Sequence, residues 1–221
     1  MNDIINFITD PGNDFPGHTI TYVQICAFAI VVAIVIGVGL GIAVSRNAVL
    51  AFVAVNLSGL MRAIPVIAFL IAALPYLGVG FKPTVIALIV LGIPPILLNT
   101  YTGIRGIDPA MIDAATGIGM TRWQIITRIQ APLVMPIIAA GIRTAAVQIV
   151  ATATLAAIIG AGGYGEYIID GLNRLNNSEV LAGALPVAVL AIIIEVFMSW
   201  LQQVLTPLGL RQSIPVEPVK P

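Results

Sequence analysis

Five apolar stretches dominate this chain, and short polar loops separate them. Residues 19–45 and 83–104 contain no charged side chain, and residues 50–76, 132–159 and 182–205 contain one each. About 20 mostly apolar residues, wound into a helix, cross a hydrocarbon layer roughly 30 Å thick. The pattern therefore predicts an all-α integral membrane protein with five transmembrane helices. The second is the least defined at its start, because residues 49–61 also suit a helix lying along the membrane surface.

The composition excludes several other classes of protein. Of 221 residues, 59% are hydrophobic and 9% are charged, whereas a soluble domain carries about 25% charged residues. Ten basic side chains balance ten acidic ones, so no bulk charge indicates nucleic-acid binding. Cys26 is the only cysteine, which excludes a disulfide framework and a thiolate metal cluster. We expect no metal and no cofactor, and we interpret Cys26 and His18 as structural residues.

The distribution of charge predicts the orientation of the chain. The first 45 residues contain no lysine or arginine, unlike a cleavable signal peptide. We expect residues 1–18 to be an external segment, and five spans then place the C-terminus in the cytoplasm. The proline-rich tail, 212–221, is predicted to be disordered and cytoplasmic. This orientation agrees with the positive-inside rule, since the basic residues inside are Arg46, Arg105, Arg122, Arg128, Arg211 and Lys220, against Lys82 and Arg174 outside.

A polar segment, residues 108–132, interrupts the apolar pattern between the third and fourth spans, on the cytoplasmic side. Asp108 followed by Pro109 is typical of a helix start, with aspartate as N-cap and proline at the first helical position. The short helix that follows should stop at Gly117 and Gly119, because glycine readily takes the positive φ of a helix end.

A second short helix is predicted to follow directly. Thr121 and Gln124 match the capping box, Trp123 would share one side with Ile126 and Gln130, and Pro132 would end the element and open the fourth span. Two short helices at an angle, with an apolar and aromatic side, have two interpretations. They either rest on the lipid headgroups or form a docking surface for a partner protein.

The spacing of this segment resembles the "EAA" signature of permease subunits of bacterial ABC importers. That signature is Glu-Ala-Ala, three residues, Gly, nine residues, Ile, one residue and Leu-Pro. The spacing fits throughout, with Asp113 in place of Glu and Ala131 in place of Leu. The resemblance implies a coupling helix that inserts into a groove on a separate ATP-hydrolysing subunit. It assigns this coupling role to Asp113, Ala114, Ala115, Gly119, Thr121, Arg122, Trp123, Ile129 and Pro132.

Four further phrases resemble the osmoprotectant subgroup of these permeases, whose substrates are glycine betaine, carnitine, choline and related compounds. The phrases are NTYTGIRGID (99–108), GIGMTRWQ (117–124), AGIRT (140–144) and GAGGYGEYIIDGLN (160–173). Methionine importer permeases share the five-span layout and are the alternative. The resemblance implies a transmembrane domain over residues 19–211 in a bacterial plasma membrane. It also implies two permease subunits, identical or sister chains, two ATPase subunits and an external substrate-binding protein.

Other readings of the chain have less support in the sequence. No P-loop G-x-x-x-x-G-K-[ST] is present, so this chain is expected to be a transport subunit and not an enzyme. An intramembrane enzyme would need clustered ionisable groups at depth, and a channel would not need the EAA segment. Gly37, Gly39 and Gly41 lie inside an apolar span, which favours close helix packing over a nucleotide loop.

Candidates for the translocation path are few. Arg62 and Pro65 are interpreted first as a snorkelling arginine and a proline kink, with a gate as the alternative. Tyr164 and Tyr167 are candidates for contact with solute or the binding protein. Quaternary ammonium compounds are held in aromatic cages, but Trp123 and Trp200, the only tryptophans, are both placed toward the cytoplasm. High-affinity recognition is therefore assigned to the binding protein.

The fourth and fifth spans each carry one charge. Arg143 lies eleven residues past Pro132, and Glu195 lies about as far from the inner end of the fifth span. A rise of about 1.5 Å per residue puts both near the middle of the membrane. Because an isolated charge there is costly, we predict a buried ion pair that holds the two helices in register. The alternative is that each side chain separately meets water or backbone carbonyls.

Overall fold

A computed structural model describes residues 2–206, without the side chains of Asn2, Asp3 and Arg62. The predicted disordered tail, 212–221, lies outside the described residues. Every regular element within residues 2–206 is helical. The α-helices are α1 (Asn2–Thr9), α2 (Phe15–Ser45), α3 (Ala48–Ala63), α4 (Val66–Leu77), α5 (Phe81–Arg105), α6 (Pro109–Gly117), α7 (Arg122–Ile125), α8 (Ala131–Thr152), α9 (Tyr164–Asn173) and α10 (Asn177–Leu205). Short 3₁₀ turns cover Pro11–Asn13 and Ala153–Ile159, and a π segment covers Ile126–Gln130.

Four continuous helical segments are long and apolar enough to cross a membrane. They are Pro11–Ser45, Phe81–Arg105, Arg122–Ile159 and Asn177–Leu205. These segments correspond to the first, third, fourth and fifth of the predicted spans. The all-α membrane architecture is therefore as the apolar pattern predicts, and the difference from that prediction lies in the second span.

Helices α2 and α5 pack side by side and run in the same direction. A Cβ at Gly37 would lie 2.8 Å from Cβ of Ile96, and a Cβ at Gly41 would lie 2.5 Å from Cβ of Thr100. Glycine is required at both positions, since a side chain would push the helices apart. A Cβ at Gly39, between them, would have no neighbouring atom within 4 Å. Only the G-x-x-x-G pair of the three glycines therefore makes the helix contact.

The chain between these two parallel helices has to return across the bundle. The return is made by α3 and α4, which meet at an angle of 96°. An uninterrupted helix over residues 50–76 is thus not formed. Pro65 lacks the amide proton that a helix needs, and Ile64 before it is extended, with φ −77° and ψ 120°. Counted as one span broken at residues 64–65, this bent pair brings the candidate crossings within the described residues to five.

Helix α8 runs antiparallel to α5, and α10 runs antiparallel to α8. Gly141 of α8 lies against Asn99, and Gly103 lies against Val134, so rising numbers in one helix meet falling numbers in the other. The bundle therefore has two distinct ends. We call them the polar-segment end, which holds residues 45–47 and 105–131, and the aromatic end, which holds residues 10–22, 78–81 and 159–176.

The aromatic end is a packed core. The rings of Phe15 and Tyr167 stack with centroids 6.0 Å apart, and those of Tyr22 and Tyr164 lie 5.0 Å apart. The Tyr164 hydroxyl donates to Oγ1 of Thr19 at 2.9 Å. The Tyr167 hydroxyl donates to a backbone carbonyl of the N-terminal segment, and burial raises the pKa of this phenol to about 12.

The predicted contact of Tyr164 and Tyr167 with solute or the binding protein stays a prediction, and little of either side chain is open to such a contact in this conformation. Each is only 6% exposed, because the first helix of the chain and the start of α2 cover them. Phe7 of α1 packs edge-on against Tyr167 at 5.4 Å. The N-terminal segment is thus part of the fold, and the two tyrosines hold it in place.

The orientation of the bundle stays a prediction, and two exposed positions test it. Leu175, at the aromatic end, is 90% exposed, and Ile118, at the polar-segment end, is 80% exposed. In a Cys26→Ala background, a membrane-impermeant thiol reagent added to intact cells should label Leu175→Cys and not Ile118→Cys. Lysed cells should label both. Labelling of Ile118→Cys in intact cells would reverse the predicted topology.

Candidate functional site

The polar segment begins with the predicted cap. The carboxylate of Asp108 accepts a hydrogen bond from the amide of Ala110 at 2.9 Å, and Pro109 is the first residue of α6. The helix ends at Gly117, and Gly119 has a φ of +84°. A Cβ at Gly119 would meet no atom within 4 Å. The requirement for glycine at Gly119 therefore comes from the backbone conformation and not from a lack of space.

The capping box is also confirmed. Thr121 and Gln124 exchange hydrogen bonds, with the amide of Thr121 donating to Oε1 at 2.8 Å and the amide of Gln124 donating to Oγ1 at 3.4 Å. This reciprocal pair satisfies two amides at the helix start. It fixes where the chain turns from the bend at Gly119 into the next helix.

The prediction of a second, separate short helix is wrong. Helix α7 continues through the π segment into α8, so that Arg122–Ile159 is one continuous helical segment. Pro132 lies in the first turn of α8 and does not break it. A proline ring clashes with the carbonyl four residues earlier, and the wider π turn, in which the amide of Ala131 donates to the carbonyl of Ile126, accommodates this proline.

One side of the polar segment faces outward and is apolar. Ile118 is 80% exposed, Trp123 is 72% exposed and Met111 is 44% exposed. Met111, Ala114 and Ile118 follow the i, i+3, i+7 spacing of one helix face. Asp113 is exposed as well, whereas Ala115 faces inward and is buried. Exposed apolar side chains at the end of a bundle, outside the lipid-spanning helices, are typical of a binding surface.

The other side of the segment closes an apolar cleft of about 770 Å³. Ile112, Met120 and Ile125 line it from the polar segment, and α2 and α8 form the opposite wall. Arg46 and Arg122 lie at its polar edge. The segment is therefore held by the bundle on one side and free on the other.

The residues to which the coupling role was assigned differ in exposure. Thr121 and Arg122 are exposed beside Trp123, whereas Ile129 and Pro132 are half-buried in the continuous helix. Pro65, a candidate for the path, is exposed at the break between α3 and α4. The side chain of Arg62 lies outside the described residues.

Arg143 and Glu195 are brought together in an ion pair, in which Nη2 of Arg143 donates to Oε1 of Glu195. The two side chains are 34% and 40% exposed, so the description of this pair as buried is wrong for the single chain. Within residues 2–206, the pair joins α8 to α10 on a face whose two clefts are lined by these two helices alone. It lies beside two clefts of about 490 and 330 Å³.

The sequence reasoning did not find the polar residues that surround this pair. On α10, Ser199 and Gln202 follow Glu195 at i+4 and i+7. On α8, Thr144 and Gln148 line the larger of the two clefts beside Arg143. A polar stripe at helical spacing inside an apolar span is the signal that identifies such a face. For Trp200 the sequence predicted only a position toward the cytoplasm. In the structure its side chain lines the smaller cleft.

Comparison with protein families gives a match over most of the chain. The family described as "Binding-protein-dependent transport system inner membrane component" matches residues 29–208. The glycine betaine/carnitine/choline transport system permease protein OpuCB of Bacillus subtilis is 38% identical over 211 residues, covering 96% of this chain and 97% of the relative. The carnitine transport permease protein OpuCB of Listeria monocytogenes is 37% identical, covering 96% and 98%.

A solved structure shares the fold. The methionine ABC transporter MetNI, in an inward-facing conformation, superimposes with a TM-score of 0.73 at 19% identity, covering 85% of this chain and 94% of that chain. At this identity the likeness concerns the fold alone. The chain thus shares the helix arrangement of an ABC importer permease.

The ion pair is predicted to couple α8 to α10. Arg143→Met and Glu195→Leu should each lower the folded yield in detergent, because each leaves one charge without its partner. The double variant should recover much of the loss. The measurement is the monodisperse fraction by size-exclusion chromatography, analysed as a double-mutant cycle. Losses that simply add would show that the pair does not stabilise the helix contact.

Proposed function

Because the chain belongs to the family of binding-protein-dependent transport system inner membrane components, we propose that it forms the translocation path of an ABC importer for osmoprotectants. The solutes are small quaternary ammonium compounds such as glycine betaine, carnitine or choline. Two relatives support this substrate class: a carnitine transport permease and a glycine betaine/carnitine/choline transport permease match nearly the whole chain at 37% and 38% identity. The methionine alternative has support from the fold only.

Recognition of the solute outside the cell is assigned to a separate binding protein. A cage for a quaternary ammonium group needs open aromatic faces. At the aromatic end the rings pack against one another, so their faces are covered. Tyr22 is 0% exposed, and Tyr164 and Tyr167 are each 6% exposed. This end therefore offers a packed surface on which a loaded binding protein can rest, and not a cage of its own.

Docking of the ATPase is assigned to the outward side of the polar segment. The observation that carries this proposal is the exposed apolar face of Met111, Ile118 and Trp123 around the bend at Gly119. A rigid bend held by a capping box presents these side chains in a fixed arrangement. A helix resting on headgroups would instead carry its apolar side toward the membrane, where the polar segment already contacts α2 and α8.

A second permease subunit, identical or a sister chain, is assigned to the open face of α8 and α10. In lipid, the polar side chains of this face would be costly. Between two subunits they would instead line a path for a hydrophilic solute. In this arrangement the N-terminus is external, and the polar segment is cytoplasmic.

The transport function is tested with the assembled importer in proteoliposomes. ATP-driven uptake should be saturable for at least one of glycine betaine, carnitine and choline. It should require the binding protein and ATP in the compartment that faces the polar segment. Methionine should neither be taken up nor compete. Uptake of methionine without uptake of any quaternary ammonium compound would refute the substrate assignment.

The bend at Gly119 provides a test of docking with a matched control. Gly119→Val forces a β-branched side chain into a positive φ, which costs about 1–3 kcal/mol or re-aims Trp123. Gly117→Val adds the same side chain, also into open space, at a position without positive φ. Gly119→Val should insert normally but lose ATPase co-purification and uptake, and Gly117→Val should retain both. Equal behaviour of the two variants would show that the bend does not position the docking surface.

A further inference from the structure

Arg143, Glu195 and Trp200 line one cleft at the level of the membrane-spanning helices. The cleft has a volume of about 330 Å³, and Val196, Ser199 and Gln203 complete its lining. We propose that this Arg143–Trp200 cleft is a transient binding site for a zwitterionic quaternary ammonium solute during its passage. The proposal rests on the proposed function and extends it from the importer as a whole to named side chains.

The depth of the cleft excludes contact with lipid as its normal environment. Arg143 lies twelve residues from the start of α8 at Ala131, and Glu195 lies ten residues from the end of α10 at Leu205. At about 1.5 Å per residue these positions are roughly 15–18 Å along each helix, near the middle of a layer roughly 30 Å thick. Charged side chains at this depth face a water-filled cavity or another protein surface.

The neighbouring residues favour water over a dry protein contact. A larger cleft of about 490 Å³ adjoins the same ion pair, and Thr144, Gln148 and Gln202 line it. Hydroxyl and amide side chains in a row suit a hydrated path, whereas helix contacts inside membranes are made mainly by small residues. The two clefts share Arg143 and Glu195, and Trp200 lines the smaller one.

The chemistry of the three side chains complements both ends of the solute. A guanidinium is suited to binding a carboxylate through two parallel hydrogen bonds. An indole face attracts a quaternary ammonium group, which has no proton to donate. Trp200 is 57% exposed, so its ring is accessible, and the Glu195 carboxylate adds an opposite charge. A betaine or carnitine molecule carries the two charges that this arrangement requires.

The ion pair also explains how such a site stays weak. Glu195 pairs with Arg143, so the solute carboxylate has to displace an internal partner. Competition of this kind lowers affinity without removing selectivity. A path has to bind its solute well enough to admit it and weakly enough to release it.

The test uses the whole importer, reconstituted with its ATPase and binding protein, and compares uptake of glycine betaine with uptake of choline, which has no carboxylate. Arg143→Gln should lower the ratio of glycine betaine to choline uptake about tenfold. Trp200→Leu should lower uptake of both solutes about tenfold, and Trp200→Phe, which keeps an aromatic face, should retain most of it. Phe28→Leu, on the exposed side of α2 and absent from the lining of both clefts, is a control that should leave both rates unchanged.

Each variant is compared at equal amounts of assembled complex. Unchanged uptake by Trp200→Leu, or equal loss in Trp200→Leu and Trp200→Phe, would overturn the proposal. So would equal loss of both solutes in Arg143→Gln together with full recovery in Arg143→Gln/Glu195→Gln, since the pair would then be structural only. A wild-type importer that takes up none of glycine betaine, carnitine and choline would refute the proposed function itself, and this ligand class with it.

Discussion

Lipid offers no hydrogen-bond partner to a peptide group, and this constraint decides where the helices of this chain can stop. Between α4 and α5 the amide of Gly80 donates to the carbonyl of Ile159 at 2.8 Å, so that two loops at the aromatic end support each other. At the other end the amide of Met120 donates to the carbonyl of Ala115 at 3.1 Å. The peptide groups at the break at residues 64–65 also need hydrogen-bond partners. Pro65 lowers the number needed, because proline has no amide proton.

The same constraint separates the side chains into two populations. Most of those between α2, α5 and α8 are small or apolar, Asn99 and Tyr22 being exceptions, and glycines at the contacts bring the helix axes close together. Those on the open face of α8 and α10 include an ion pair, hydroxyls and amides. Such a face is costly to leave in lipid, which fits a family described as components of transport systems.

The sequence predicts much of this organisation because the apolar pattern and the caps are local. Asp108, Thr121 and Gln124 act on neighbouring backbone groups, so their hydrogen bonds were predictable from spacing alone. The continuity of α7 with α8 was not predictable, because a π turn has no distinct composition. Burial of Tyr164 and Tyr167 was missed for another reason: it depends on Phe7 and Phe15, which are distant in the sequence. The rise per residue predicted that Arg143 and Glu195 lie at similar depth, but it carried no information on which side of the helices they face.

The continuous helix from Arg122 to Ile159 has a mechanical consequence. Its 38 residues make a rod of about 57 Å, nearly twice the thickness of the hydrocarbon layer. Because Trp123 and Arg143 lie on this one segment, about 30 Å apart, a displacement at Trp123 acts on Arg143 through the backbone that joins them. Two features loosen that stretch: the π segment Ile126–Gln130 and Pro136 inside α8. A displacement of the polar-segment tip would therefore change the angle at which α8 meets α10, partly by bending at these two points, and would carry the guanidinium of Arg143 with it.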